Sequence, residues 1–123
     1  MAHILIVDDD PQLCNLLTIM LKSSKHIVTV AHDGLEALQS YKLHHPDLVI
    51  TDIIMPNTDG IQTIIQLSEL NDKLPIIAMS GGRRMVSSEF NLESAQLVGA
   101  KAILTKPFTD VQLNEAIKQA MAG

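Results

Sequence analysis

The sequence predicts a doubly wound α/β fold, in which one parallel sheet is covered by helices on both faces. Three observations predict it. Short continuous apolar runs recur five times, at Ile4–Val7, Ile27–Ala31, Leu48–Ile50, Pro75–Met79 and Ala102–Leu104. Such runs read as strands buried on both faces, the mark of a parallel sheet. Between them lie longer stretches with apolar residues at helical spacing. The connections are short, with no linker, repeat or low-complexity segment.

Taken in order, the elements alternate strand and helix. After Ile4–Val7, Asp10-Pro11 places a capping side chain before a proline at a first helical position, and Leu13, Leu16, Leu17, Met20 and Leu21 form an apolar stripe. After Ile27–Ala31, Asp33 opens a helix carrying Leu35, Leu38 and Tyr41. It closes at His44-His45, where a cationic side chain suits the helix dipole. After Leu48–Ile50, Asp59-Gly60 starts a third helix with Ile61, Ile64, Ile65 and Ser68 on one face. Leu92, Ala95 and Gly99 suggest a fourth helix after Pro75–Met79. The last follows Thr109 or Asp110 as cap, with Leu113, Ala116, Ile117 and Ala120.

The chain has 123 residues, enough for one domain with a core and too few for two, so residues 1–123 are read as a single domain. No apolar run approaches the roughly 20 residues that cross a bilayer. The start MAHILIVDDD has no basic segment and meets three acids at once, unlike a signal peptide. Cys14 is the single cysteine, so neither an internal disulfide nor a cysteine metal site is expected, and the expected location is the cytoplasm. Net charge is −5 and uneven. Up to Ile61 the acids are Asp8, Asp9, Asp10, Asp33, Glu36, Asp47, Asp52 and Asp59, against Lys22, Lys25 and Lys42. There is no basic stripe and aromatic residues are 2%, which argues against nucleic-acid binding and for a cation site.

Ligands of such sheets bind at the carboxyl ends of the strands. There the sequence places Asp8, Asp9 and Asp10, then His32, then Asp52, then Ser80, Gly81 and Gly82, and finally Thr105, Lys106 and Pro107. Carboxylates within reach of one another repel and raise each other's pKa, and a divalent cation removes the conflict. Mg²⁺ takes oxygen ligands and keeps several waters, which Asp8, Asp9 and Asp52 would suit. Lys106 and Ser80 opposite them would suit a phosphoryl group, with Gly81 allowing close backbone approach. A carboxylate can itself accept the phosphoryl group. Singly, each residue has a plainer reading. Asp10, Asp33, Asp59 and Asp110 read as caps, Ser80 as a turn residue and Lys106 as a surface charge, and Asp8-Asp9 leaves metal site and turn evenly open. Their joint occurrence at one edge favours chemistry.

The segments ILIVDDDP (Ile4–Pro11), LVITDIIMPNTDG (Leu48–Gly60), IIAMSG (Ile76–Gly81) and LTKPF (Leu104–Phe108) resemble the receiver domains of bacterial two-component response regulators. The resemblance runs from Ile4 to about Met121. It implies a flavodoxin-like fold, with five parallel strands in the order 2-1-3-4-5 and five helices. It implies that Asp52 accepts a phosphoryl group from a sensor histidine kinase or histidine phosphotransfer protein. Asp9, Asp52 and the backbone carbonyl of Ile54 would ligate Mg²⁺, with Asp8 acting through a metal-bound water. Ser80 and Lys106 would contact the phosphoryl group, near Gly81, and the Lys106–Pro107 peptide would be cis. The face formed by the fourth helix, fifth strand and fifth helix would then change and control a partner. Such a domain is a signalling switch rather than a metabolic enzyme.

The sequence departs from that family's pattern in three places. Where many receivers carry an aromatic switch residue, three before Lys106, this chain has Ile103, so the usual coupling to the output face is absent. The segment between Ser80 and Lys106 is longer than usual, and Gly81 to about Ser87, with Arg83-Arg84, reads as a mobile loop, a longer solvated turn rather than the alternative of a partner-recognition or phosphate-lid loop. Ile54 and Gly82 offer no side chain to orient water, which implies slow loss of the phosphoryl group. Ile54 also weighs against an aspartyl-phosphate hydrolase, which wants an aspartate there. The acidic DDDPQ loop weighs against flavin binding, and the intact Asp8, Asp9, Asp52, Ser80 and Lys106 set against an unphosphorylated scaffold. The expected form is a stand-alone receiver; the alternative is the first domain of a longer regulator with a DNA-binding or enzymatic part. Cys14 is expected to be half-buried and inert. None of the five histidines is expected to bind metal.

Overall fold

The computed structural model describes residues 2–55, 58–81 and 99–122. Its strands are β1 (His3–Val7), β2 (Ile27–Ala31), β3 (Leu48–Asp52), β4 (Ile54–Met55), β5 (Thr58–Asp59), β6 (Ile76–Gly81) and β7 (Ala102–Lys106). Its helices are α1 (Pro11–Ser23), α2 (Gly34–His44), α3 (Gly60–Leu70) and α4 (Asp110–Ala122). The five long strands form one parallel sheet in the order β2-β1-β3-β6-β7, the predicted 2-1-3-4-5 order. β4 and β5 make a small antiparallel pair just beyond the end of β3.

Four helices lie among the described residues, not five. The expected helix at Leu92 and Ala95 falls outside them. Gly99, placed in that helix by its spacing, sits instead in a turn with φ at +136°. The expected loop from Gly81 to about Ser87 is corrected at its start, since Gly81 ends β6 paired with Lys106; the rest lies outside the described residues. Among those residues, no helix is long and apolar enough to cross a membrane.

Successive side chains of a strand point to opposite faces, so β1 feeds two cores. Leu5 and Val7 pack with Val49, Ile76 and Ala78 against Ala37, Tyr41, Ile64 and Leu67 of α2 and α3. Ile4 and Ile6 pack with Leu48, Ile50, Ile77 and Met79 against Cys14, Leu17 and Leu21 of α1 and Leu113, Ala116 and Ala120 of α4. The sheet is thus covered on both faces, as the apolar runs predict.

The stripes need correction where hydrophobicity alone set the phase. Leu16 and Leu35 are 52% and 68% exposed, while Cys14 and Ala37 take the inward places. Cys14 is therefore a core residue rather than half-buried. β2 is an edge strand with Ile27 56% exposed, so its apolar run does not report burial on both faces.

Caps behave as their chemistry requires. Asp10 accepts from the backbone N–H groups of Gln12 and Leu13, and Asp33 from that of Glu36. α4 is capped by Thr109 rather than Asp110: Gln112 N–H donates to Thr109 Oγ1 at 3.2 Å, and Thr109 N–H to Gln112 Oε1 at 2.8 Å. α2 ends at His44, with His45 in the left-handed region and its N–H on the Tyr41 carbonyl.

Candidate functional site

β1 and β3 lie side by side at the centre of the sheet, with Val7 level with Thr51. The residues that follow, Asp8 and Asp52, therefore emerge together at the carboxyl edge. Carboxylate oxygens of Asp8, Asp9 and Asp52 lie within 4.8 Å of one another. Asp8 is fully buried, Asp52 is 4% exposed and Asp9 is partly exposed. Lys106 reaches them from the end of β7. Its Nζ donates to Asp52 Oδ2 at 2.9 Å and to Asp8 Oδ2 at 3.0 Å. The Lys106–Pro107 peptide that follows is cis, as expected.

Asp8 is held on every side. Its Oδ1 accepts the backbone N–H of Asp10 at 2.9 Å, and its own N–H donates to the Ala31 carbonyl at 3.1 Å. Cys14 Sγ donates to its carbonyl at 3.4 Å, and His32 Nδ1 lies 3.3 Å from the same oxygen. Burial raises the Asp8 carboxyl above its ordinary value, and the Asp52 charge adds to that. The Asp10 N–H and Lys106 act in the opposite sense without cancelling it. Burial works against the charge on Lys106, but hydrogen bonding and attraction from Asp52, then Asp8, outweigh it and raise its pKa. Cys14 is pushed up to about 11 by burial, then by the charges of Asp8 and Asp10.

The remaining expected residues fall where the strand register puts them. Ser80 is fully buried on β6, one residue beyond Met79, which pairs with Asp52. Ser80 pairs with Thr105, and Gly81 with Lys106. Ile54 begins β4, two residues after Asp52. Ile103 lies on the edge strand β7 and is 39% exposed, so no aromatic ring stands there. Gly82 lies outside the described residues.

Two contacts around Asp52 were not legible as site features. Thr51 Oγ1 donates to the Asp52 carbonyl at 3.0 Å. Gly60 N–H donates to the Ile53 carbonyl at 3.3 Å. The only sequence signal for them was the small residue that follows Asp59. His32, expected only to lie near this edge without binding metal, places its ring against the backbone carbonyl of Asp8.

The arrangement offers a cluster of oxygen donors, a lysine that bridges two of them and a hydroxyl at the same edge. Comparison with known proteins identifies the family. The response regulator receiver domain family matches residues 4–118. The chain is similar to the chemotaxis protein CheY of Halobacterium salinarum, 33% identical over 121 residues that cover 98% of each chain. It is also similar to the alkaline phosphatase synthesis transcriptional regulatory protein PhoP of Bacillus subtilis, 33% identical over 115 residues, 94% of this chain but 46% of that one. Among solved structures, the chemotaxis response regulator CheY4 of Vibrio cholerae superimposes with a TM-score of 0.85 at 26% identity, covering 98% of both chains. With a family match over most of its length, and a relative aligned end to end, the chain belongs to the response regulator receiver domains.

Proposed function

We propose that the chain is a phosphoacceptor switch of a two-component system, with Asp52 as the residue modified. The observation that carries this is the pairing of a nearly buried Asp52 carboxylate with Lys106 Nζ at 2.9 Å, beside two further carboxylates. A structural ion pair would need one acid for one lysine. Three acids around one lysine leave negative charge that a hard divalent cation would balance.

The donor set fits Mg²⁺: all ligating atoms are carboxylate oxygens close together, and Asp9 is partly exposed to solvent. Asp9, Asp52 and the Ile54 carbonyl would hold it, with Asp8 acting through a bound water. The metal would supply charge neutralisation for a phosphoryl group in transit. Asp52 provides the nucleophile. One of its oxygens attacks the phosphorus of a phosphohistidine on a sensor kinase or phosphotransfer protein; the P–O bond forms as the P–N bond breaks, and the imidazole nitrogen keeps the electron pair. Lys106, already at Asp52, pairs with the incoming phosphoryl oxygens, and Ser80 donates to one of them. The added charge biases the loops beyond β6 and β7 toward a second arrangement that a partner reads. With Ile103 on β7, that bias passes through loop reordering rather than a turning ring. The partial coverage of PhoP supports a second reading of output only: the partner is a further domain of a longer regulator instead of a separate protein.

The test uses a small-molecule phosphodonor with Mg²⁺ and intact-mass measurement of the wild type and Asp52→Asn. A single phosphoryl adduct on the wild type, absent from the variant, is expected. No adduct on the wild type, or an undiminished one on the variant, overturns the assignment.

A further inference from the structure

The backbone that carries Asp52 is gripped from two sides by residues outside the acidic trio. Thr51 is fully buried and donates its hydroxyl to the Asp52 carbonyl at 3.0 Å. On the other side, α3 begins against the same peptide. Gly60 is buried, and its N–H donates to the Ile53 carbonyl at 3.3 Å. A Cβ at Gly60 would overlap Ile53 Cα and the Asp52 carbonyl oxygen, and would lie 2.7 Å from the Ile53 carbonyl carbon. These are backbone atoms, so no side-chain rotation makes room. Ile53 N–H is itself tied to the Met79 carbonyl at 3.1 Å, which fixes the peptide to the neighbouring strand.

The geometry points to Gly60 and Thr51 as positioning residues for the phosphoacceptor. Together they fix the Asp52–Ile53 peptide, and with it the place of the Asp52 carboxylate and of the chain leading to Ile54. The inference rests on the reading of Asp52 as cation ligand and phosphoacceptor. A side chain at Gly60 must displace that peptide relative to Asp8 and Asp9. Removing the Thr51 hydroxyl takes one donor from the Asp52 carbonyl and loosens the hold on the peptide. Residues that orient metal ligands without touching the metal typically account for about 10–100-fold in affinity.

Gly99 supplies a matched control. It has φ at +136°, and a Cβ there would lie 2.5 Å from Ser68 Oγ, so Gly99→Ala also strains the fold, but against α3 rather than the acids. The experiment measures Mg²⁺ affinity by calorimetry for the wild type, Gly60→Ala, Thr51→Val, Thr51→Ser and Gly99→Ala, each checked for folding by circular dichroism. Phosphoryl uptake is then followed by intact mass. Gly60→Ala and Thr51→Val are expected to bind Mg²⁺ about tenfold more weakly or worse. Thr51→Ser, which keeps the hydroxyl, and Gly99→Ala should bind as the wild type does. If Gly60→Ala fails to fold, the Thr51 pair decides alone. The inference is overturned if Thr51→Val binds like the wild type, or if affinity falls in Gly99→Ala as it does in the other variants. A wild type that binds Mg²⁺ but takes no phosphoryl group sinks the switch reading and leaves the positioning claim to the metal data. A wild type that binds no Mg²⁺ sinks both.

Discussion

Replacing Asp8 by Asn should stabilise the metal-free protein. Asp8 is fully buried, and carboxylate oxygens of both Asp9 and Asp52 lie within 4.8 Å of its own. At an effective dielectric of about 20, each repulsion at 4.8 Å is worth about 3.5 kcal/mol. The opposing attraction to Lys106 at 3.0 Å is worth about 5.5 kcal/mol on the same scale. The charges on either side largely offset one another, and the cost of burying the charge, the largest influence on Asp8, decides the balance. The raised Asp8 pKa points the same way. A carboxyl whose folded pKa lies above its unfolded value stabilises the fold below that unfolded value, 3.8, and loses this as pH rises through the folded one. At neutral pH the charged group is a net cost. Asparagine keeps an oxygen for the Asp10 N–H and removes the charge. The expected gain is about 2 kcal/mol, or roughly 6–10 °C in Tm for a chain of this length. The assay is thermal and urea unfolding in the presence of a chelator. On adding Mg²⁺ at ten times its Kd, the wild type should gain about 1.4 kcal/mol and the variant less. The advantage of the variant should shrink as pH falls through the Asp8 titration. A metal-free variant less stable than the wild type would show that the Lys106 pair governs, and that the acids form a structural network.

Cys14 should resist alkylation at pH 8 in the native state and react once urea unfolds the chain, because its thiol is 3% exposed and pushed up to about 11. A raised thiol pKa stabilises the fold below the unfolded value of 9.0 and loses that as pH rises through about 11. The stability gap between wild type and Cys14→Ala should therefore narrow across that window, and a constant gap would refute it. Thr109→Ala removes a reciprocal cap with Gln112 and should cost about 1 kcal/mol in urea unfolding, with Asp110→Ala costing less.

The sequence revealed strand order and site together because both follow from chain connectivity. The apolar runs end at Val7 and Ile50, so the following acids reach one edge wherever the helices lie. Rotation of the helices was harder to read. Leu16 and Leu35 were placed inward by their hydrophobicity, but the winding of each helix brings Cys14 and Ala37 to the sheet instead. Small residues fill a close helix–sheet contact better than leucine, and a pattern based on size misses them. Thr109 and Asp110 stayed open as the cap because both can accept at a helix start; the partner Gln112 decides, and only coordinates show it. Gly60 was read as a helix opener with no further role. Its real constraint is the carbonyl oxygen of Asp52, eight positions earlier, which no local pattern exposes. Ile103 was legible as a substitution, but its effect depends on neighbours that strand periodicity does not describe.

Lys106 stands 98 positions after Asp8 and 54 after Asp52. A chain made from its amino end exposes all three acids well before their lysine exists. β7 also joins the sheet at its edge, through β6 alone. The ammonium therefore arrives with the last strand, and until then the acids face one another without it. Docking of that strand offsets only part of their charge, so the site gains its lysine in the same step that completes the sheet.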